Sequence, residues 1–365
     1  MTEVTANEVV EELRLTPLQV LTVRSLQARM LAADLKAERK DRNTTQKTND
    51  LHRFVLQSFV DVVPVGRADW VPSELEDFDQ RSIEEKVDLF VDLAAPLADR
   101  VKTRSAAMVI LVELLTFQPW ADASKWDKKT RQKSLEVADR DLAGLKLGDL
   151  KSATEELDAV RRALRLKSIK WGRVAAATVV GAGVGIATAG WAAPAIGAAI
   201  GSSMGLTGAA ATSAGLAALG GGSLAAGGFG VAGGTMLLTG IGGVALGGAA
   251  AAGTGFSPLA SQAIAAEAVK LDLIARLVLA NSSNRDEKMR RVVESLQENI
   301  NTLTDRTELL VDRIGTLRVE NAQTKAENVS LKAQIEEMKH ELRELRSATT
   351  TLTVVRDRLP AMSAQ

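Results

Sequence analysis

The sequence predicts an all-α protein with a soluble helical bundle, a Gly/Ala-rich membrane helical block and a C-terminal parallel coiled coil. Three observations lead to this prediction. One long stretch has no charged residue, and a later stretch repeats apolar residues every seven positions. The remainder is rich in Ala, Leu, Glu, Lys and Arg, with few prolines and no tyrosine. Such a composition is typical of long helices.

The charge-free block comprises residues 174–266, which contain no Asp, Glu, Lys, Arg or His and hold 24 of the 29 glycines. More than 18 consecutive uncharged, mostly apolar residues indicate a membrane-embedded segment. Breaks at Pro194, at 220–222 and near Gly253 divide the block into two to four predicted transmembrane spans. The alternatives are a buried helical hairpin in a soluble protein, a disordered Gly-rich tract and a stack of small-residue helices. The apolar composition favours the membrane.

Glycines in this block recur four residues apart, which places them on one face of a helix. This spacing leaves a groove where another helix backbone can approach closely, and such packing drives helix association in lipid. The predicted helix-packing glycines are Gly181, Gly185, Gly197, Gly201, Gly205, Gly230, Gly234, Gly243 and Gly247. Because Ala and Gly bury little apolar area, a single span would insert weakly. Packed hairpins or an oligomer are therefore expected.

Positive charge flanks the block on both sides. The predicted membrane collar, upstream, combines cations with an interfacial tryptophan: Arg161, Arg162, Arg165, Lys167, Lys170, Trp171 and Arg173. Residues 149–173 are predicted to be a basic amphipathic connecting helix, and residues 267–284 a second connecting helix. Because Lys and Arg concentrate on the cytoplasmic side, we expect an even number of crossings with both arms cytoplasmic. No cleavable signal peptide is expected, since residues 1–15 lack an apolar core.

Residues 1–148 are predicted to form a soluble helical bundle, which offers a surface for an unidentified partner. A capping box at Thr16-Pro17-Leu18-Gln19 predicts a helix start, and this helix is expected to reach about Arg42. Polar residues 43–46 are expected to separate it from a second helix over about 50–63.

Later in the same arm, Ser82 and Glu85 form a second capping box. The apolar run 101–117 is predicted to be the central helix of the bundle. Trp120 and Trp126 are interpreted as core or rim residues, because packing is the usual role of tryptophan near helix ends.

Residues 285–359 are predicted to form a coiled coil, because an unbroken heptad register runs from Val293 to Leu345, a length of about 80 Å. Apolar residues fill the a and d positions, and two asparagines at a positions hold the register. The predicted oligomerisation residues are Leu296, Ile300, Leu303, Leu310, Ile314, Leu317, Asn321, Asn328, Leu331, Ile335 and Leu342.

The charges beside this register predict how the coil pairs. Acidic g positions such as Glu320, Glu327 and Glu341 face basic e positions in a parallel pair, whereas an antiparallel pair sets like charges together. A parallel homo-oligomer, with a dimer favoured, is therefore predicted. The alternative is a helix that folds back on the N-terminal helices of its own chain, since a/d stripes also serve intramolecular bundles.

Composition argues against several chemistries. The absence of cysteine excludes disulfides and thiol catalysis, and two histidines, His52 and His340, leave little scope for a histidine metal site. The formal net charge of zero gives no basic footprint for nucleic acid. Matches to G-x-S-x-G at 201–205 and to G-x-G-x-x-G at 228–233 lack the preceding strand that each site needs. No enzyme, cofactor, catalytic residue or metal site is therefore predicted.

The arrangement of helical arm, long Ala/Gly-rich apolar block and helical arm resembles that of α-helical pore-forming toxins of the haemolysin E type. It is also similar to the apolar hairpins of pore-forming colicins and to type III secretion translocators. The resemblance implies a protein that permeabilises membranes. The chain departs from the toxin pattern in its longer block, its two-stranded coil bias and its lack of a charged pore lining.

The sequence thus predicts a non-enzymatic protein whose block inserts into a lipid bilayer, whose collar contacts anionic lipid and whose coil sets the subunit count, so that it permeabilises or remodels the membrane. The first alternative is a permanent membrane-anchored scaffold with the coil as a tether. The second is a soluble structural assembly with the apolar block buried between subunits.

Overall fold

The computed structural model describes most of the two arms that flank the charge-free block. The described residues are 15–63, 69–117, 120, 126–167, 169, 258–279 and 328–359, together with separate positions between 286 and 316. For 61, 258–267 and 328–332 only the backbone is described. Every regular element in these residues is a helix, which confirms the all-α class.

The first two helices form a corner at residues 38–40. Helix α1 spans Pro17–Ala37 and starts with the predicted capping box, in which Thr16 and Gln19 exchange hydrogen bonds. Helix α2 spans Asp41–Val62, so the predicted break at residues 43–46 is wrong. The chain turns earlier because one carboxylate oxygen of Glu38 accepts the backbone N–H groups of Arg39 and Lys40, at 3.0 and 3.1 Å.

Two short 3₁₀ turns, Ser73–Leu75 and Phe78–Gln80, lead to α3 at Ile83–Asp99. The predicted capping box at Ser82 is present: the Glu85 carboxylate accepts the Ser82 N–H at 2.8 Å. Helix α4 spans Arg104–Thr116 and is buried without interruption from Ala106 to Thr116. This confirms that the apolar run 101–117 contains the central helix of the N-terminal arm.

Helix α5 spans Lys128–Asp141 and α6 spans Asp149–Leu166. Gly148, the residue before α6, has φ of +93°, a left-handed conformation that glycine adopts without steric cost. In the same α5–α6 connection Gly144 lies against the start of α4, where a Cβ would meet the carbonyl oxygen of Thr103 at 2.6 Å.

Beyond the block, α7 spans Pro258–Leu277 and α8 spans Asn328–Arg358. These two helices pack extensively against each other. The described positions between 286 and 316 are all helical as well.

The two halves of the heptad stretch lie side by side. The Arg356 guanidinium donates to the Gln297 side-chain oxygen at 2.8 Å, although 59 residues separate them. On one straight helix these residues would be about 88 Å apart. If the two halves ran parallel, with Gln297 beside Arg356, Thr316 and Asn328 would be about 70 Å apart. The chain that joins Thr316 to Asn328 reaches at most about 42 Å. The two halves therefore run antiparallel, and the predicted rod of about 80 Å is not confirmed.

Two hydrophobic cores organise the described helices, and α1 contributes to both. One core lies between α1, α2 and α3, and includes Phe78, Phe90 and Trp120. The other joins α4, α5 and α6 to α7, α8 and the segment that contains Ile300. The helices predicted as a separate N-terminal bundle, 1–148, therefore share a core with the C-terminal arm. We refer to this combined unit as the helical body.

Candidate functional site

The helical body holds both ends of the charge-free block. Residues 174–257 lie outside the described residues, and with them all of the predicted packing glycines: Gly181, Gly185, Gly197, Gly201, Gly205, Gly230, Gly234, Gly243 and Gly247. The last part of the block, residues 258–266, forms the first turns of α7. Within the described part of the chain, no helix has the length and apolarity needed to cross a membrane.

Buried residues lie very close to each end of the block. Ile169, before the block, is 8% exposed, and Ala268, after it, is fully buried in the same core. At about 3.5 Å per residue, Val174 lies within about 18 Å of Ile169. By the same measure Ala266 lies within about 7 Å of Ala268. The chain therefore leaves for the block and returns from it at one folded unit.

The described part of the predicted collar divides into two sets. Arg161 is half-buried, and its guanidinium lies 3.3 Å from the carboxylate of Asp158, one turn earlier on α6. Burial lowers the pKa of Arg161, although the Asp158 charge opposes this shift. By contrast Arg162, Arg165 and Lys167 are exposed at the C-terminal end of α6. The other collar residues, Lys170, Trp171 and Arg173, lie outside the described residues.

Helix α7, predicted as part of a connecting helix, occupies the centre of the body instead. Its residues from Ala268 to Ala275 are all buried, including two charged ones, Lys270 and Asp272. The Lys270 ammonium lies 2.8 Å from the Glu113 carboxylate of α4, and both side chains are 6% exposed. This buried ion pair joins the N-terminal arm to the first helix after the block.

A second charged cluster joins α6, α7 and the end of α8. Asp272 is fully buried and accepts hydrogen bonds from Arg276 and from Arg358, each at 3.2 Å. Arg358 also donates to the Glu156 carboxylate of α6 at 3.2 Å. Arg276 donates in turn to the carbonyl oxygen of Arg358. Three helices from both arms are thus held by one group of paired charges.

A third buried charge lies between α1 and α2. The Lys47 ammonium is within 2.7 Å of Asp34 and 3.0 Å of Glu38, and it lies over the ring of Trp120. Burial alone would lower the pKa of Lys47, but the hydrogen bonds to both carboxylates outweigh it and the pKa is raised. The hydrogen bond from Lys47 lowers the pKa of Glu38 to about 2. The other oxygen of Asp34 accepts the N–H of Asp127 at 2.7 Å, which fixes the start of α5.

The predicted oligomerisation residues are described only in part. Ile300, Ile314 and Ile335 are buried, and Leu342 is half-buried against the core, so these side chains are covered by their own chain. For Asn328 and Leu331 the backbone is helical. The remaining ones, Leu296, Leu303, Leu310, Leu317 and Asn321, lie outside the described residues.

A cleft of about 370 Å³ between α5 and α6 is lined mainly by polar residues, including Glu136, Asp139 and Glu155. Burial raises the pKa of Asp139, and the nearby charge of Asp149 adds to this shift. Among the described residues, no three His, Cys, Asp or Glu side chains converge as metal ligands.

Sequence reasoning missed Glu113, Asp272 and Arg358 as residues that hold the body together. The available signal was the alternation of charge in Val269-Lys270-Leu271-Asp272-Leu273, since isolated charges in an apolar helix need buried partners. The partners themselves are 157 residues away for Lys270 and 86 residues away for Asp272. No local pattern identifies contacts at that distance along the chain.

Comparisons of the chain with protein-family models, with curated proteins and with solved structures find no match.

Proposed function

We propose that this protein is a non-enzymatic, membrane-inserted protein that permeabilises or remodels a bilayer. The charge-free block, 174–266, enters the hydrocarbon, and the helical body stays at one surface of the membrane. The observation that carries the proposal is the anchoring of both ends of the block in a single core, through Ile169 and Ala268.

The same observation supports an even number of crossings. The helical body carries exposed charged residues on its outer helices, such as Lys151, Glu155 and Arg162 of α6. Charged side chains are costly within hydrocarbon, so the body remains on one side of the bilayer. Because both ends of the block start from that body, every span that leaves must be matched by one that returns.

Self-association is the second component of the proposal. The heptad register supports a parallel homo-oligomer with a dimer favoured, whereas in the single chain Ile335 and Leu345 are buried by neighbouring helices of the same chain. Within one chain, the helical positions between 286 and 316 pair antiparallel with α8. These two parts must separate before α8 can form a parallel coil with another chain. We propose that this separation accompanies insertion.

Dye release and flotation with liposomes test the proposal. The purified full chain is expected to float with liposomes and to release a trapped dye. The variant Ile186→Asp/Leu246→Asp places two charges inside the block, each costing about 3 kcal/mol at the bilayer centre. It is expected to lose dye release. The matched control Ile186→Leu/Leu246→Ile keeps the block apolar and is expected to release dye like the wild type.

The outcomes separate the alternatives. Flotation without leakage at every lipid composition contradicts permeabilisation and supports the membrane-anchored scaffold. A monodisperse particle that neither floats nor leaks contradicts insertion altogether and supports the soluble assembly with a buried block. Equal leakage from the aspartate variant and the wild type shows that the block is not the inserting segment.

A further inference from the structure

The C-terminal end of α6 presents an apolar residue and three cations to solvent. Leu166 is 86% exposed, although leucine is among the residues most often buried. Arg162, Arg165 and Leu166 are spaced at i, i+3 and i+4, so they lie on one face of the helix. Among the described residues, none forms an ion pair with Arg162, Arg165 or Lys167.

Local helix energetics explain only part of this arrangement. Cations near a helix C-terminus interact favourably with the helix dipole, which accounts for Arg165 and Lys167. The dipole gives no reason for an exposed leucine between them. Leu147, the other fully exposed leucine near α6, lies before the start of that helix, about 27 Å away along its length. There the neighbouring Lys151 is paired with Glu155, at 3.9 Å.

The position of this helix end in the chain suggests its partner. Val174, the first residue of the charge-free block, lies eight residues after Leu166 and therefore within about 28 Å of it. Buried Ile169 keeps the intervening chain against the body. A block that enters a bilayer thus brings the C-terminal end of α6 to the membrane surface.

We infer that Arg162, Arg165, Leu166 and Lys167 form a docking surface for bilayers with anionic headgroups, an inference that rests on the proposed membrane insertion. The guanidinium groups bind headgroup phosphates, for which their planar donors are suited, while Leu166 enters the interfacial region. Arg161 is not part of this surface, because it is turned towards Asp158. The surface determines which bilayer the block meets, and the block supplies insertion.

Binding to vesicles of defined composition tests this inference. The full chain is expected to bind vesicles that contain about 30% phosphatidylserine, which gives a strongly negative surface, more tightly than it binds pure phosphatidylcholine vesicles. The variant Arg162→Gln/Arg165→Gln/Lys167→Gln is expected to lose about 100-fold in affinity for the anionic vesicles, since each basic residue near the surface contributes roughly fivefold.

Two matched controls accompany this variant. The variant Lys128→Gln/Lys129→Gln/Lys133→Gln removes as many positive charges as the α6 variant, but from exposed positions of α5. It is expected to change the affinity for anionic vesicles by less than about threefold. Leu166→Ser is expected to weaken binding, whereas Leu147→Ser, at the other end of α6, is expected to have no effect. Circular dichroism confirms that each variant is folded.

The block variant Ile186→Asp/Leu246→Asp separates docking from insertion. It is expected to bind anionic vesicles without releasing dye, and to dissociate at high salt. Equal affinity of the wild type for both vesicle types overturns the docking surface, even if dye is released. Equal losses in the α5 and α6 charge variants also overturn it, because they show that only net charge matters. If the wild type releases no dye, the proposed function is contradicted. If the α6 variant alone loses binding to anionic vesicles, the docking surface is still supported.

Discussion

Lys270 and Lys47 are both buried, and both are held by carboxylates within 3.0 Å. Such pairs add little net stability when formed, because the attraction between the charges only offsets the cost of removing them from water. Removal of one partner is different, since the other charge is then left buried and uncompensated. These residues therefore restrict the positions that the helices can take, more than they contribute to the total stability of the fold.

The ion pair between Lys270 and Glu113 gives the first prediction. Lys270→Met is expected to lower the free energy of unfolding by about 3–5 kcal/mol, because it leaves the Glu113 carboxylate buried without its cation. The double variant Glu113→Met/Lys270→Met is expected to recover to within about 1 kcal/mol of the wild type. Urea unfolding followed by circular dichroism measures both. Arg53→Gln, which removes an exposed ion pair with Asp50, serves as control and is expected to change stability by less than about 1 kcal/mol.

The pKa of Glu38 gives the second prediction. In the folded protein the pKa of this carboxyl is about 2, against a model-compound value of 4.5. A lowered pKa means that the contribution of Glu38 to stability is fully present above pH about 4.5 and is lost as the pH falls towards about 2. The variant Glu38→Gln is expected to be less stable than the wild type at neutral pH. It is also expected to lose less stability than the wild type as the pH falls from about 4.5 to about 2.

Unfolding midpoints measured at several pH values between neutrality and acid check this expectation. Glu155→Gln, which removes an exposed carboxylate of α6, serves as control and is expected to leave the pH dependence unchanged. An equal pH dependence in the Glu38→Gln variant and the wild type contradicts a role for the Lys47–Glu38 contact in acid sensitivity.

At the scale of helices and turns, the close contact between the α5–α6 turn and the start of α4 depends on one glycine. A methyl group on Gly144 would lie 2.6 Å from the Thr103 carbonyl oxygen, which is backbone and cannot rotate away. The turn also brings Asp149 to Arg104, whose guanidinium lies 2.6 Å from that carboxylate. Burial alone would raise the pKa of Asp149, but the hydrogen bonds from Arg104 and from the Lys146 N–H outweigh it and the pKa is lowered.

Gly144 therefore gives the third prediction. Gly144→Ala is expected to lower the unfolding free energy by about 1–3 kcal/mol, because α4 and the turn must move apart. Gly315→Ala is the matched control: Gly315 is helical and a Cβ there meets no atom within 4 Å. It is expected to raise stability by up to about 1 kcal/mol, the difference in helix propensity between Ala and Gly. Thermal unfolding compares the two, and equal effects contradict the steric explanation.

Sequence patterns predicted helices well where the signal is local. Both capping boxes, at Thr16 and Ser82, and the buried helix α4 follow from residues within a few positions of each other. The role of α7 could not be predicted in this way. Residues 267–284 were predicted only as a connecting helix, whereas the charges of α7 are buried because distant residues, Glu113 and Arg358, pair with them.

The heptad stretch shows a different limit of sequence reasoning. A period of seven establishes that a helix has one apolar face, but it does not identify what covers that face. In this chain Leu345, Leu352 and Val355 of α8 are covered by the core that α7 and α6 share. Near the end of α8 the buried residues therefore no longer coincide with the predicted a and d positions, since Val355 occupies a g position.

At the scale of the whole molecule, the two arms form one unit although the block separates them in sequence. Helix α1 packs into both cores, and the larger core contains helices from before and after the block. Unfolding of either arm therefore exposes apolar surface of the other. The body is expected to fold and unfold as one cooperative unit.

Replacement of residues 174–257 by a flexible Gly/Ser linker gives the fourth prediction. A linker of about 20 residues has an average end-to-end distance of about 25 Å, which suits two ends that belong to one body. The shortened protein is expected to be helical, to need no detergent, to unfold in a single transition and to release no dye. Two separate unfolding transitions contradict a shared core. The same protein with Ala275→Asp, which buries an unpaired charge in that core, is expected not to fold.

The location of α7 also limits how far the block can be pulled. A shift of this helix along its axis by one turn, about 5.4 Å, would bring Ile274 opposite Glu113 and Arg276 opposite Arg358. The first change leaves a carboxylate facing an aliphatic side chain, and the second places two guanidinium groups together. The helix therefore has one favoured axial setting, and a pull on α7 from the side of the block has to separate both sets of charges in the same event.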